Sequence, residues 1–143
     1  MLSDDAMFLV FGASLSAVAA LAHLACIAIG APAYRLLGAG ESMARAAQAG
    51  KLEPTLLTLA IAAVLLLWAG YALGGAGVID QLPMSKLVLP AICALYLGRA
   101  VAFPLLKSRF PENSQTFWLL SSGICLVIGL VHVYGLVSVW HTL

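Results

Sequence analysis

Charge is what this 143-residue chain has least of: Asp, Glu, Lys and Arg make up 9% of it and the formal net charge is +1. An ordinary soluble domain carries about 25% charged residues. With no run of Lys or Arg to follow a phosphate backbone, nucleic acid is not an expected partner. Cysteine is scarce as well. Cys26, Cys93 and Cys125 all fall in apolar runs without CxxC spacing, which argues against a metal site or a disulfide framework and for small buried apolar residues. Phosphate-cradling glycine loops, catalytic signature motifs, fixed-period repeats and low-complexity tracts are all missing. The amino terminus offers Asp4 and Asp5 but no base, so the first apolar run is expected to be a retained helix rather than a secretory signal.

Apolar length is what the chain has in abundance. Hydrophobic residues make up 63% of it, and the mean hydropathy is +1.05. Four runs, at about residues 7–30, 54–73, 87–103 and 117–139, each approach the length a helix needs to cross roughly 30 Å of hydrocarbon. Backbone polar groups must be satisfied within each run, which selects helices over an open sheet. The expected fold is therefore all-α: one integral membrane domain over residues 1–143, a four-helix bundle with short loops. It is expected to self-associate as a homo-oligomer.

The ends of the runs are punctuated as helix termini should be. Gly30-Ala31-Pro32 stops the first, Gly74, Gly75 and Gly77 unwind the second, Pro104 closes the third, and Asn113 or Ser114 can cap the fourth. The longest connection, Ala31 to Glu53, contains a short amphipathic helix at Glu41 to Gln48, with Met43, Ala44 and Ala47 available to lie on the membrane surface. It reads as a solvated linker or as a lid. Trp118, Trp140, Tyr34 and Tyr71 near span ends suit the headgroup region. Arg35, Arg45, Lys51, Lys107 and Arg109 share one side of the bundle and Lys86 stands alone on the other. The positive-inside tendency then puts both termini on the non-cytoplasmic side, with a bacterial inner membrane as the expected location.

Ionisable groups inside the spans narrow the functional question, because they are costly in lipid and usually face the bundle interior. Helical rise puts His23 about 10 Å, Arg99 about 6 Å and His132 about 22 Å from the cytoplasmic ends of their spans. An offset of roughly 12 Å argues against haem held between His23 and His132, leaving the cofactor unknown. Spacings of three and four place Gly12, Ser16, Ala19, Ala20, His23, Cys26 and Gly30 on one face of the first helix. Trp118, Ser122, Cys125, Gly129 and His132 do the same on the fourth. Turned inward, these faces would gather His23, Cys26, Thr58, Tyr96, Arg99, Ser121, Ser122 and Cys125 into a polar pocket near the cytoplasmic leaflet, with Arg35 and Glu41 as loop contacts. His23 is too deep to reach the surface and needs an internal partner such as Tyr96, a serine or a ligand. The competing account is packing: small residues allow close helix approach, Ser and Thr bond to their own backbone, and Arg99 can snorkel.

Three functions compete on these residues. A binding protein would hold an anionic amphipathic or lipid-like molecule, head on Arg99 and tail between apolar helices; membrane lipids are the expected surroundings. A membrane-embedded enzyme would use His23 as general base, Tyr96 or Cys26 as donor or nucleophile, and Arg99 to stabilise developing negative charge. An oligomeric transporter or channel subunit would need a continuous polar path, and the polar residues do not form one. Chain size and span count are similar to those of the MAPEG glutathione-handling membrane enzymes, and Arg45 to Glu53 distantly matches that family's Arg and Glu placement. The Asn between them is missing and the register is off, so MAPEG-like transferase chemistry stands only as a minor alternative.

Overall fold

The computed structural model of the protein describes residues 4–143, with side chains from Ala6 onward. It is helical, with no strand among the described residues. Four long helices, α1 (Asp4–Ile29), α4 (Leu52–Gly75), α5 (Ser85–Val101) and α7 (Gln115–Val139), are joined through the short helices α2 (Ala31–Leu36), α3 (Glu41–Gln48) and α6 (Phe103–Arg109). A turn of 3-10 helix, Trp140–Thr142, ends the chain. Among the described residues, α1, α4 and α7 are each long and apolar enough to cross a membrane, and α5 with α6 makes a fourth crossing if that bent pair is one span.

Small residues are prominent in the interior, beside a few large ones such as Leu9, Leu89 and Ile92, and large residues dominate the outside. The buried set includes Ala6, Ala13, Ala20, Ala62, Ala69, Ala72 and Ala76, while Leu21, Leu56, Leu119, Leu120 and Val137 are more than half exposed. Lipid tails are as apolar as leucine, so nothing drives large side chains inward and close backbone approach becomes the main source of cohesion. Glycines show how close that approach is. A Cβ on Gly135 would stand 2.8 Å from the backbone nitrogen of Leu9, and one on Gly12 would stand 2.8 Å from the His132 ring. These contacts put α1 and α7 in antiparallel register near the termini. Gly75 meets Leu9 and Leu89 in the same layer.

The helix ends differ from the sequence expectation in three places. Gly74 and Gly75 do not unwind α4; both are buried within it, and the helix stops at Ala76 before Gly77 turns at φ +74°. The third span is not one straight helix to residue 103. It breaks at Ala102, and α6 departs at 62° with Pro104 in its first turn. Proline lacks the N–H that a continuing α5 would need and its ring favours a helix start. Finally, the apolar side of α3 is taken up by the protein itself: Ala44 is fully buried with Cys26, Ala31, Ala33 and Tyr34, and Met43 and Ala47 pack against that cluster. The bounds of α3 match the expectation. Gly30 at φ +83° ends α1, and Ser114 caps α7 by accepting from the Phe117 N–H at 3.1 Å.

Candidate ligand-binding site

Helix geometry distributes the candidate residues among three groups, of which one gathers three buried, unpartnered polar atoms beside a cation. It lies where α5 stops short of α7. Gly129 packs against Leu97 and the Tyr96 Cβ, so Val101 at the end of α5 stands level with about residue 125. The first ten residues of α7 therefore run on for about 15 Å without α5 beside them. Arg99, in the last turn of α5, reaches along this stretch. Its Nη2 donates to Ser121 Oγ at 2.8 Å, and its Cζ lies 5.5 Å from the Trp118 ring centroid in a cation–π contact. Trp118 is only 2% exposed. The Arg99 Nη1, Trp118 Nε1 and Ser122 Oγ atoms are all buried without a hydrogen-bond partner. Two of them can only donate and the third can donate. Leaving such groups unpaired costs about 1–3 kcal/mol each. Cys125 follows Ser121 and Ser122 one turn along α7 and is half-buried. Arg99 has no carboxylate partner; the ion pair among the described residues is between Arg35 and Glu41.

The second group joins the end of α1 to α2 and α4. Thr58 Oγ1 donates to the Pro54 carbonyl at 2.7 Å and lies 3.1 Å from the Tyr34 hydroxyl. Its single proton is on the carbonyl, so it accepts from Tyr34. Cys26 is buried in the apolar cluster around Tyr34 and Ala44. Thr58 and Cys26 thus have partners on α2 and α3.

The third group is nearer the termini. The Tyr96 and Ser16 hydroxyls are 2.8 Å apart, Trp68 meets Tyr96 edge-on at 5.1 Å, and the His132 ring lies 5.4 Å from that of Tyr96. Tyr96 and Arg99 are one turn apart on α5, yet they have different partners, Ser16, Trp68 and His132 for Tyr96 and Ser121 and Trp118 for Arg99. Fully buried His132 bonds through Nδ1 to the Ile128 carbonyl at 2.8 Å, while its Nε2 is buried without a partner. Half-buried His23 does the same with the Ala19 carbonyl at 2.7 Å. A carbonyl only accepts, so Nδ1 carries the proton in both rings. His23 therefore meets its need for an internal partner on its own helix. Because Gly12 touches His132 and His23 lies eleven residues further along α1, the two imidazoles are about 16 Å apart along the bundle. No single iron position lies between rings so separated.

Arg35 and Glu41 form a two-pronged pair at 2.8 and 2.9 Å on the exposed loop surface. That bond holds the Glu41 carboxyl below its ordinary range and raises the Arg35 guanidinium. What the pair organises is a clasp that sequence patterning did not reveal. Glu112 Oε1 accepts from the Glu41 N–H at 3.0 Å, and Asn113 Nδ2 donates to the Gly38 carbonyl at 3.1 Å. The Phe117 ring occupies the space a Cβ on Gly38 would need, 2.0 Å away, and then meets Trp118 edge-on at 5.2 Å. The turn between α2 and α3 is therefore seated on the start of α7, directly over the Arg99 group. The positive φ at Gly38 and Gly40 is its backbone requirement. A cavity of ≈ 450 Å³ at the opposite end, lined in part by Gly74, Asp80, Gln81, Ser138 and Thr142, touches none of these groups.

Among the described residues no three His, Cys, Asp or Glu side chains converge as metal ligands would. Comparison with protein-family models, with curated proteins and with solved structures gives no match.

Proposed function

We propose that this chain is a multi-pass membrane protein that binds an anionic amphipathic molecule at Arg99, with the polar head on the guanidinium and the tail along the apolar flank of α7. The observation that carries this reading is the set of three buried, unpartnered groups, Arg99 Nη1, Trp118 Nε1 and Ser122 Oγ, beside a cation that has no carboxylate. An oxyanion offers the acceptors these groups need, and charge-assisted hydrogen bonds to guanidinium are among the stronger ones available. In this reading both termini are on the non-cytoplasmic side of a bacterial inner membrane, which puts Arg99 in the cytoplasmic leaflet. The bundle self-associates through its exposed faces. Binding is favoured over catalysis because His23, Tyr96 and Cys26 have separate partners in separate layers.

Native mass spectrometry of the protein extracted gently from its own membrane tests this. A defined small molecule should accompany the wild-type chain and be lost from Arg99→Ala while helicity is kept. Equal retention by both proteins would refute the role given to Arg99.

A further inference from the structure

Two routes lead to the Arg99 group, one from water and one from the bilayer, and they differ in construction. The aqueous route is covered. The Gly38 turn rests on Phe117, Phe117 packs on Trp118, and the Glu112 carboxylate and Asn113 amide tie that turn down. A free anion arriving from this side would meet the negative charge of Glu112 first.

The lateral route is bordered by apolar surface and then by positive charge. At Ala102 the chain turns from the α5 axis by 62°, and α6, which has no buried residue, stays beside the start of α7 through Lys107. Val101 is 74% exposed at the break and Leu105 is 76% exposed beyond it. On the facing stretch of α7, Leu119 and Leu120 are 60% and 65% exposed. Gly123 has nothing within 4 Å of where a Cβ would stand. Lys107 and Arg109 follow on α6, and Lys107 Nζ bonds to Gln115 Oε1 at the start of α7. Exposed apolar surface, the half-buried Arg99 with its unpartnered neighbours and two further cations thus lie together along the start of α7, a combination suited to an anionic lipid.

We infer that the ligand is an anionic phospholipid of the surrounding leaflet, which seats its phosphate diester on Arg99, Trp118 Nε1 and Ser122 by moving sideways through the gap under the bend at Ala102. This rests on the reading of Arg99 as a binding residue and adds the ligand class and the direction of access. A phosphate diester presents two unesterified oxygens, which accept from the guanidinium and indole together, and the serine hydroxyl donates to either. A net negative headgroup is selected because Lys107 and Arg109 repel the quaternary ammonium of a zwitterionic lipid.

The test uses the full chain in nanodiscs of equal phosphatidylglycerol and phosphatidylcholine, released into mild detergent for native mass spectrometry. Phosphatidylglycerol should be retained over phosphatidylcholine by about tenfold. Replacing Lys107 and Arg109 together by glutamine should bring that ratio near unity, whereas Arg99→Ala should lower phosphatidylglycerol retention itself by about tenfold, the scale of one charged hydrogen bond. Trp118→Phe keeps the ring and removes one donor, and should lower phosphatidylglycerol retention about threefold. Circular dichroism checks that each variant is folded. Equal retention of the two lipids, or phosphatidylglycerol retention unchanged in Arg99→Ala, overturns the inference. A second arm adds decanoate to protein in phosphatidylcholine discs. Arg99-dependent decanoate binding without phosphatidylglycerol preference would overturn the phospholipid assignment and leave the binding reading standing; absence of both would remove both.

Discussion

The two ends of this bundle hold their helices by different means. Toward the termini, backbones touch: Gly135 on Leu9, Gly12 on the His132 ring and Gly75 on Leu89, with the Ser16–Tyr96 bond closing the layer. Toward the loops, α5 ends early, α6 turns from its axis, and polar clasps join α2 and α3 to the start of α7. The contrast separates two meanings of a polar residue in a membrane. His132 is fully buried in the close-packed end, its proton is used within its own helix and only a lone acceptor, Nε2, is left over among packed neighbours, so it belongs to the architecture. Arg99 sits where packing stops and keeps donors that the protein does not use.

That contrast can be broken by substitution, and the largest effect belongs to the packed end. Gly135→Ala should destabilise the bundle by about 1–3 kcal/mol, because the added methyl meets the Leu9 backbone and overpacking costs that much. Gly123→Ala, with open space around it, should leave stability unchanged or raise it by up to about 1 kcal/mol. Unfolding titrations in mixed micelles read both, and similar losses at the two glycines would erase the distinction. Next, Arg99→Ala should weaken retention of an anionic amphiphile about tenfold while stability falls by no more than about 2 kcal/mol, the worth of its Ser121 bond and Trp118 contact. A collapse of stability would return Arg99 to the architecture. Tyr96→Phe should cost about 1 kcal/mol through the Ser16 hydroxyl left behind, with ligand retention unaffected.

The smallest effect concerns the Arg35–Glu41 pair. Its Glu41 carboxyl is held below the ordinary range by the bond to Arg35, so the pair adds stability above the unfolded carboxylate value, about 4. That contribution disappears as pH falls through the lowered folded value, while Arg35 stays charged throughout. A spin label at Gln48 should gain mobility over that acid interval. In Arg35→Gln it should be mobile already at neutral pH.

Much of the fold was legible because apolar length is a one-dimensional property. The long helices and the bounds of α3 follow from where apolar periodicity starts and where Gly and Pro interrupt it. Placement across helices was legible only in part. Depth counted from span ends put Tyr96 beside Arg99 and well below His132. It could not anticipate that α5 stops at Val101 while α7 runs on for ten residues, a register set by Gly129 against Leu97. Arg99, Ser121, Ser122 and Cys125 share the α5–α7 seam. Thr58 and Cys26 belong with Tyr34, and Tyr96 belongs with Ser16 and His132. The Glu112 and Asn113 clasp joins residues more than seventy positions apart in sequence, a relation that no local pattern encodes.

Because alanine and glycine, with a few large residues such as Leu9, Leu89 and Ile92, make up the interior while a different set of leucines, isoleucines and valines clothes it, the information that specifies this bundle and the information that fits it to a bilayer occupy separate sets of positions. Evolution, or a designer, can rewrite the outer leucines for another solvent and leave the inner register intact. A deep mutational scan would then depart from the pattern of a soluble protein, with many permissive large residues outside and intolerant small ones inside.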